Sequence, residues 1–387
     1  MASLRQKRFD GKVVLVGEEA WLPYQRPPLS KKFLAGQLPA ERLYFKPPDF
    51  YDAPDIEVRL ETPIASVDRE RRCVVTAAGE RIAYDTLVLA TGSRVRRIEV
   101  PGSELKGVHY LRCIDDVSRI RADLVKARNV VIIGAGYIGL EVAAVIRELG
   151  HSVCVVEMAD RVMSRVVSPA VSDFYRSEHE ARGIDFRLST TLEAFEGDSR
   201  VNAVRTSGPL SIPADLVVAG IGIVPNTELA ASAGLDVDNG IVVDTHCRTT
   251  DDNIYAVGDC TSHPNGIYGR RIRLESVHNA LEQAKTAAAN ICGEVVEYSQ
   301  VPWFWSDQYD LKLQIAGLSE GYDEVVIRGE PASRSFSCLY LRNGILIACD
   351  AINAPRDFVQ SKALIAARRQ IAPERLADCG VQLKDLV

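Results

Sequence analysis

Three glycines and a glutamate have the types and spacing to hold a diphosphate. Gly134, Gly136 and Gly139 form a G-x-G-x-x-G run, and Glu157 follows 18 residues after the last of them. A first glycine permits a tight turn, a second lets a pyrophosphate approach the main chain, and a third lets a helix pack closely on a strand. The N-terminus of such a helix offers unbonded N–H groups and a partial positive charge to the phosphates. Glu157 suits the adenosine ribose hydroxyls, and its charge repels a 2′-phosphate, which favours NAD over NADP. Two other places carry related chemistry. Thr91-Gly92 follows an apolar run, where small residues admit a ligand close to the backbone. Gly258-Asp259 sets a carboxylate at a strand end, suited to sugar hydroxyls.

These residues need strands and helices to carry them. Val130–Ile133 is a β-branched apolar run, as a buried parallel strand requires. Leu140–Leu149 predicts a helix stopped by Gly150, and Val153–Val156 predicts the strand that ends at Glu157. Strands Thr86–Ala90 and Asn253–Val257 flank this unit, which implies a second nucleotide domain interrupted by the first. Near the start, Ala2–Lys7 reads as a helix end and Val13–Val16 as a strand, with Glu18 just past it. Residues 1–18 thus look like the second half of a βαβ unit, with a first strand and Gly-rich turn expected upstream. Later, strands Ser335–Leu341 and Gly344–Cys349 and a helix over Phe358–Arg368 are expected. The fold class is α/β: two Rossmann-like dinucleotide-binding domains, one inserted in the other, plus a C-terminal α+β domain.

Composition narrows the function. A chain of 387 residues holds two or three domains at about 100–200 residues each. Its 46 Lys and Arg against 52 Asp and Glu leave a net charge of -6, which argues against a nucleic-acid binder. Apolar runs such as Leu216–Val224 are short and broken by glycine, so no membrane span is expected. Met1–Asp10 is polar and basic, unlike a secretory signal, and a cytoplasmic protein is the expectation. The nine cysteines show no C-x-x-C pair and no zinc spacing, so no metal site and no sequence-adjacent dithiol is expected. They read as buried, reduced thiols.

Longer stretches carry a family resemblance. They are Leu22–Lys31 (LPYQRPPLSK), Leu89–Gly92 (LATG), Gly134–Glu141, Gly220–Asn226 (GIGIVPN), Tyr255–Cys260 (YAVGDC), Glu275–Ala280 (ESVHNA) and Pro302–Gln308 (PWFWSDQ). With them the chain resembles, along its whole length, the NADH-dependent, FAD-containing ferredoxin reductases of the putidaredoxin and rhodocoxin reductase type. The resemblance implies an FAD domain over 1–112 and 244–300, an NADH domain over 113–243, and a C-terminal cap over 301–387. It implies electron flow from NADH through FAD to a [2Fe-2S] ferredoxin that serves a cytochrome P450 or an aromatic-ring dioxygenase.

The same resemblance implies roles at particular positions. Glu18 would bind the adenosine ribose of FAD, while Arg26, Pro27 and Lys31 line the flavin cleft. Thr91 and Gly92 pass close to the cofactor, Asp259 holds the ribityl chain, and Glu275 and Trp305 border the ring. Gly134, Gly136, Gly139, Glu157 and Gly222 hold NADH. Lys31 and Glu141 are the charged pair beside the two rings, with Glu141 either pairing with Lys31 or binding the nicotinamide amide. Trp303 and Trp305 share one side of an extended segment. Arg270, Arg271 and Arg273 offer a basic surface to an acidic ferredoxin. Two alternatives stand beside this. An NADH peroxidase or disulfide reductase needs a redox cysteine early in the chain, yet the first cysteine is Cys73. A truncated, NAD-binding and FAD-poor chain without catalysis follows if the upstream strand is missing.

Overall fold

A computed structural model describes residues 1–208 and 211–386, and the chain divides into two compact units. One unit comprises Gln25–Leu43, Val95–Ile223 and Trp305–Val387. Its centre is a five-stranded sheet in the order Asp185–Arg187, Ser152–Val156, Asn129–Ile133, Leu216–Ala219, Val108–Tyr110, with every neighbouring pair parallel. The inner strands are apolar because both faces are covered: Val130, Val131 and Ile132 are buried, and Val131, Ile133, Val156, Val217 and Ala219 share a cluster with Tyr110 and Phe195. The helix after the glycine run spans Tyr137–Glu148. It begins three residues earlier than expected, because Gly136 takes the extended cap position and Gly139 falls inside the first turn.

The C-terminal part of this unit is a five-stranded sheet ordered Trp303–Gln308, Leu311–Gly317, Ile345–Ile352, Ser335–Arg342, Glu324–Glu330. The helix Pro355–Ala367 follows. Asp350, on the strand Ile345–Ile352, is fully buried. Tyr340 donates to its Oδ2, Oδ1 has no partner, and burial pushes the carboxyl up to about 7. His179, on the helix Pro169–Ala181, is also fully buried, and burial lowers it to about 4. These two groups oppose each other. Asp350 stabilises the fold below its unfolded value near 4, and that contribution is lost as pH rises through about 7. The His179 contribution is present above about 6.5 and is lost as pH falls through about 4. An Asp350→Asn chain keeps an acceptor for Tyr340 and leaves only the histidine. Its unfolding free energy is expected to rise by about 3 kcal/mol between pH 4 and 6.5, where wild type stays nearly level. A level profile for the variant in urea titrations would refute this.

The other unit comprises Met1–Tyr24, Tyr44–Arg94 and Val224–Phe304. The strand Val13–Val16 runs parallel to Ile56–Arg59, and Leu87–Leu89 runs parallel to Ile254–Ala256. Val67, Val74, Leu89, Ile241, Ile254 and Ala256 form one core cluster, and the helix Val277–Ile291 contributes Ala287 to a second. All nine cysteines are free: five are buried, Cys113, Cys154 and Cys292 are partly covered, and Cys379 is exposed. The expectation of uniformly buried thiols therefore fails at four positions. Among the described residues no helix is long and apolar enough to cross a membrane.

Candidate functional site

The strand Asn129–Ile133 delivers the chain into the glycine turn. Gly134 adopts φ +102°, and a Cβ there would sit 2.6 Å from the Gly220 carbonyl oxygen, so only glycine fits. At Gly139 a Cβ would meet the Gly134 oxygen at 2.1 Å. Gly136 differs from both. It caps the helix in extended conformation with no side-chain cap, and a Cβ added there meets nothing within 4 Å. The turn therefore opens onto free space in front of the first helical N–H groups, which is the cradle a pyrophosphate requires. Glu157 follows the strand Ser152–Val156, and its carboxylate accepts from the Ala135 N–H at 2.7 Å and the Ala159 N–H at 2.8 Å. The acid is thereby tied to the glycine turn itself. Gly222 has φ +104° with open space beside it, and its carbonyl accepts from the Arg96 N–H.

Glu141 lies in the second turn of the same helix, with 2 % of its surface exposed. Burying a carboxylate demands partners, and three side chains supply them. Lys31 Nζ lies 2.7 Å from Oε2, Ser30 Oγ donates to Oε2 at 2.5 Å, and Ser306 Oγ donates to Oε1 at 2.7 Å. Lys31 and Glu141 thus form an ion pair. Pro27 opens the short 3-10 turn Pro27–Ser30 that presents Ser30 and Lys31, and the Pro27 carbonyl accepts from Lys31 Nζ at 3.2 Å. Arg26 Nη1 donates to the Arg112 carbonyl. Trp305 is half-buried on the strand Trp303–Gln308, next to Ser306. Ser30 and Ser306 were missed by sequence reasoning. Their only signal was adjacency to Lys31 and Trp305.

In the other unit, the parallel partners Leu87–Leu89 and Ile254–Ala256 bring Thr91-Gly92 and Gly258-Asp259 to neighbouring carboxyl ends, the place where open α/β sheets bind ligands. Ser93 Oγ donates to Asp259 Oδ2 at 3.1 Å. Asn226, another residue missed, clamps the loop: its Nδ2 donates to the Thr91 carbonyl, and its own carbonyl accepts from Thr91 Oγ1. Gly92 has φ +61°. Beyond the strand Val13–Val16, Gly17 has open space where a Cβ would lie, and Glu18 is exposed. These strand ends, with a carboxylate and open main chain, fit a sugar-phosphate ligand. Glu275 is exposed and pairs with Arg273 Nη1 at 2.6 Å. Arg271 Nη2 donates to the carbonyls of Val243 and Ser262. Arg271 and Arg273 thus also brace their own chain.

A model of the "Pyridine nucleotide-disulphide oxidoreductase" family matches residues 1–284, and a "Reductase C-terminal" model matches 303–387. The chain is 43% identical to putidaredoxin reductase CamA of Pseudomonas putida, over 99% of this chain and 92% of that one. It is also 43% identical to rhodocoxin reductase of Rhodococcus erythropolis, over 99% and 90%. Among solved structures, the ferredoxin reductase for the CYP199A2 system from Rhodopseudomonas palustris matches with TM-score 0.96 at 42% identity, over 100% of this chain and 95% of that one. The reductase in the covalent putidaredoxin reductase–putidaredoxin complex matches equally, with TM-score 0.96 at 43% identity, over 100% and 94%. The chain belongs to the pyridine nucleotide-disulphide oxidoreductase family and carries its reductase C-terminal domain.

Proposed function

We propose that this flavoprotein passes electrons from NADH through FAD to a [2Fe-2S] ferredoxin serving a cytochrome P450 or an aromatic-ring dioxygenase. The observation that carries the reading is the Ser30–Lys31–Glu141 cluster. It sits where a disulfide reductase would need a cysteine, and residues 25–43 contain none. When bound, FAD supplies the exchange of one hydride for two single electrons.

The chain's own residues bind and orient. The Gly134–Gly139 turn and its helix N-terminus hold the NADH pyrophosphate, Gly222 is assigned to the same cofactor, and Glu157 takes the ribose hydroxyls while repelling a 2′-phosphate. Glu18, Arg26, Pro27, Lys31, Thr91, Gly92, Asp259, Glu275 and Trp305 are assigned to FAD. Lys31 uses two of its three hydrogens on Glu141 and Pro27, and the third is available to the isoalloxazine ring. The allocation of 1–112 with 244–300 to FAD, 113–243 to NADH and 301–387 to a cap belongs to this reading, as does a cytoplasmic location, supported by nine free thiols. Docking of an acidic ferredoxin near Arg270, Arg271 and Arg273 rests on charge, which their internal hydrogen bonds leave in place.

The test uses the full chain saturated with FAD. Anaerobic NADH is expected to bleach the flavin band, NADPH to do so far more slowly, and putidaredoxin to serve as electron acceptor at a rate that falls as salt rises. A chain that stays colourless, or that reduces disulfides or peroxide in place of putidaredoxin, overturns the reading.

A further inference from the structure

Ser306 is one end of a longer buried chain. Gln308 Nε2 donates to Ser306 Oγ at 3.1 Å, and Gln308 Oε1 lies 2.8 Å from His179 Nε2. His179 Nδ1 lies 3.3 Å from the Tyr309 hydroxyl. Ser306, Gln308 and His179 are all fully buried, and they come from two elements, the strand Trp303–Gln308 and the helix Pro169–Ala181. Tyr309 sits just past that strand at φ +57°, with the Arg182 guanidinium 4.4 Å over its ring.

The direction of every bond follows from donor chemistry. The buried histidine is held neutral, so its ring carries one N–H. An amide oxygen only accepts, so that hydrogen is on Nε2 and points to Gln308. Nδ1 is then an acceptor and takes the Tyr309 hydrogen. The Gln308 amide nitrogen only donates, so Ser306 Oγ accepts from it and directs its single hydrogen to Glu141 Oε1. All four bonds run one way and end on a group that only accepts. A carboxylate is the natural terminus for such a chain. A buried polar network is favourable only when its members are satisfied in a consistent sense.

We propose that Tyr309, His179, Gln308 and Ser306 form a one-way donor chain that fixes the Glu141 carboxylate plane, aiming Oε2 at Lys31 for hydride acceptance. They are positioning residues, and the inference rests on the function proposed above. It goes further by tracing the pair to residues outside the cofactor motifs.

Two kinds of experiment test it. In FAD-loaded protein, Ser306→Ala is expected to slow anaerobic bleaching by NADH about tenfold with NADH affinity unchanged, as loss of one hydrogen bond to a charged group predicts. Ser306→Thr restores the rate. In a Glu141→Gln background Ser306→Ala adds less than about twofold, because groups acting as one unit are non-additive. An equal factor in both backgrounds overturns the proposal. If Ser306→Ala does not fold, Gln308→Met reads the same point: a thioether cannot donate to Ser306, so an unchanged rate overturns it. Independently of turnover, nitrogen NMR of wild type at pH 7 is expected to show His179 with its proton on Nε2. A proton on Nδ1 overturns the one-way chain. If wild type takes no electrons from NADH, the functional reading fails, and the histidine tautomer still decides the chain.

Discussion

Gly139→Ala is expected to cost both stability and dinucleotide binding. The new methyl would lie 2.1 Å from the Gly134 oxygen and 3.2 Å from its carbonyl carbon. Both are main-chain atoms, so no side chain can swing aside. Either the helix Tyr137–Glu148 moves off the turn or the turn is rebuilt, and each removes N–H groups from the phosphate cradle. Overpacking of this kind costs about 1–3 kcal/mol, more where the obstacle is backbone. Gly136→Ala is the matching control. Its backbone is at φ -77° and its Cβ meets nothing, so thermal stability should hold. Its methyl occupies the space in front of the helix, so NADH affinity should fall about tenfold to a hundredfold, the equivalent of one or two charged hydrogen bonds. Calorimetry and NADH titration together separate the two. Equal stability for both variants would contradict the packing argument.

Lys31→Met is expected to leave Glu141 buried beside two serines with no cation. Removing one member of a buried pair costs about 3–5 kcal/mol. The lower end applies here, because Lys31 is itself 17% exposed and both hydroxyls remain. The double change Lys31→Met with Glu141→Leu should recover most of that loss, since an apolar pair of similar volume is often as stable as the ion pair. Hydride acceptance should not recover. Loss of one preorganised charge beside a reacting group slows chemistry by about a hundredfold. Urea unfolding and stopped-flow bleaching on wild type and these two variants give the two answers. Recovery of rate along with stability in the double variant would make the pair purely structural.

What was legible in the sequence was local. The glycine turn could be read because three steric constraints and one carboxylate fall within 24 residues. The strands ending at Thr91 and Asp259 could be read because each is a short apolar run closed by small residues. Lys31 and Glu141 stand 110 positions apart, and only family resemblance brought them together. Ser306 and Asn226 lay inside quoted motifs, yet their partners were not legible. A lone serine or asparagine has no period, and its partner is set by tertiary packing. The helix start was misplaced by three residues because a glycine that packs on a turn looks, in sequence, like a glycine that belongs to it. Arg271 and Arg273 read as free surface charge, and the carbonyls and carboxylate that engage them are invisible without the fold.

The Glu141 cluster also sets a timetable. Its last donor, Ser306, is made 165 residues after Glu141. At about 5–20 residues per second that is roughly ten to thirty seconds of translation. Throughout that interval the nascent chain has its glycine turn and its lysine but not the hydroxyl that completes the carboxylate's shell. Completion of the Glu141 cluster therefore waits until the segment carrying Ser306 has been made.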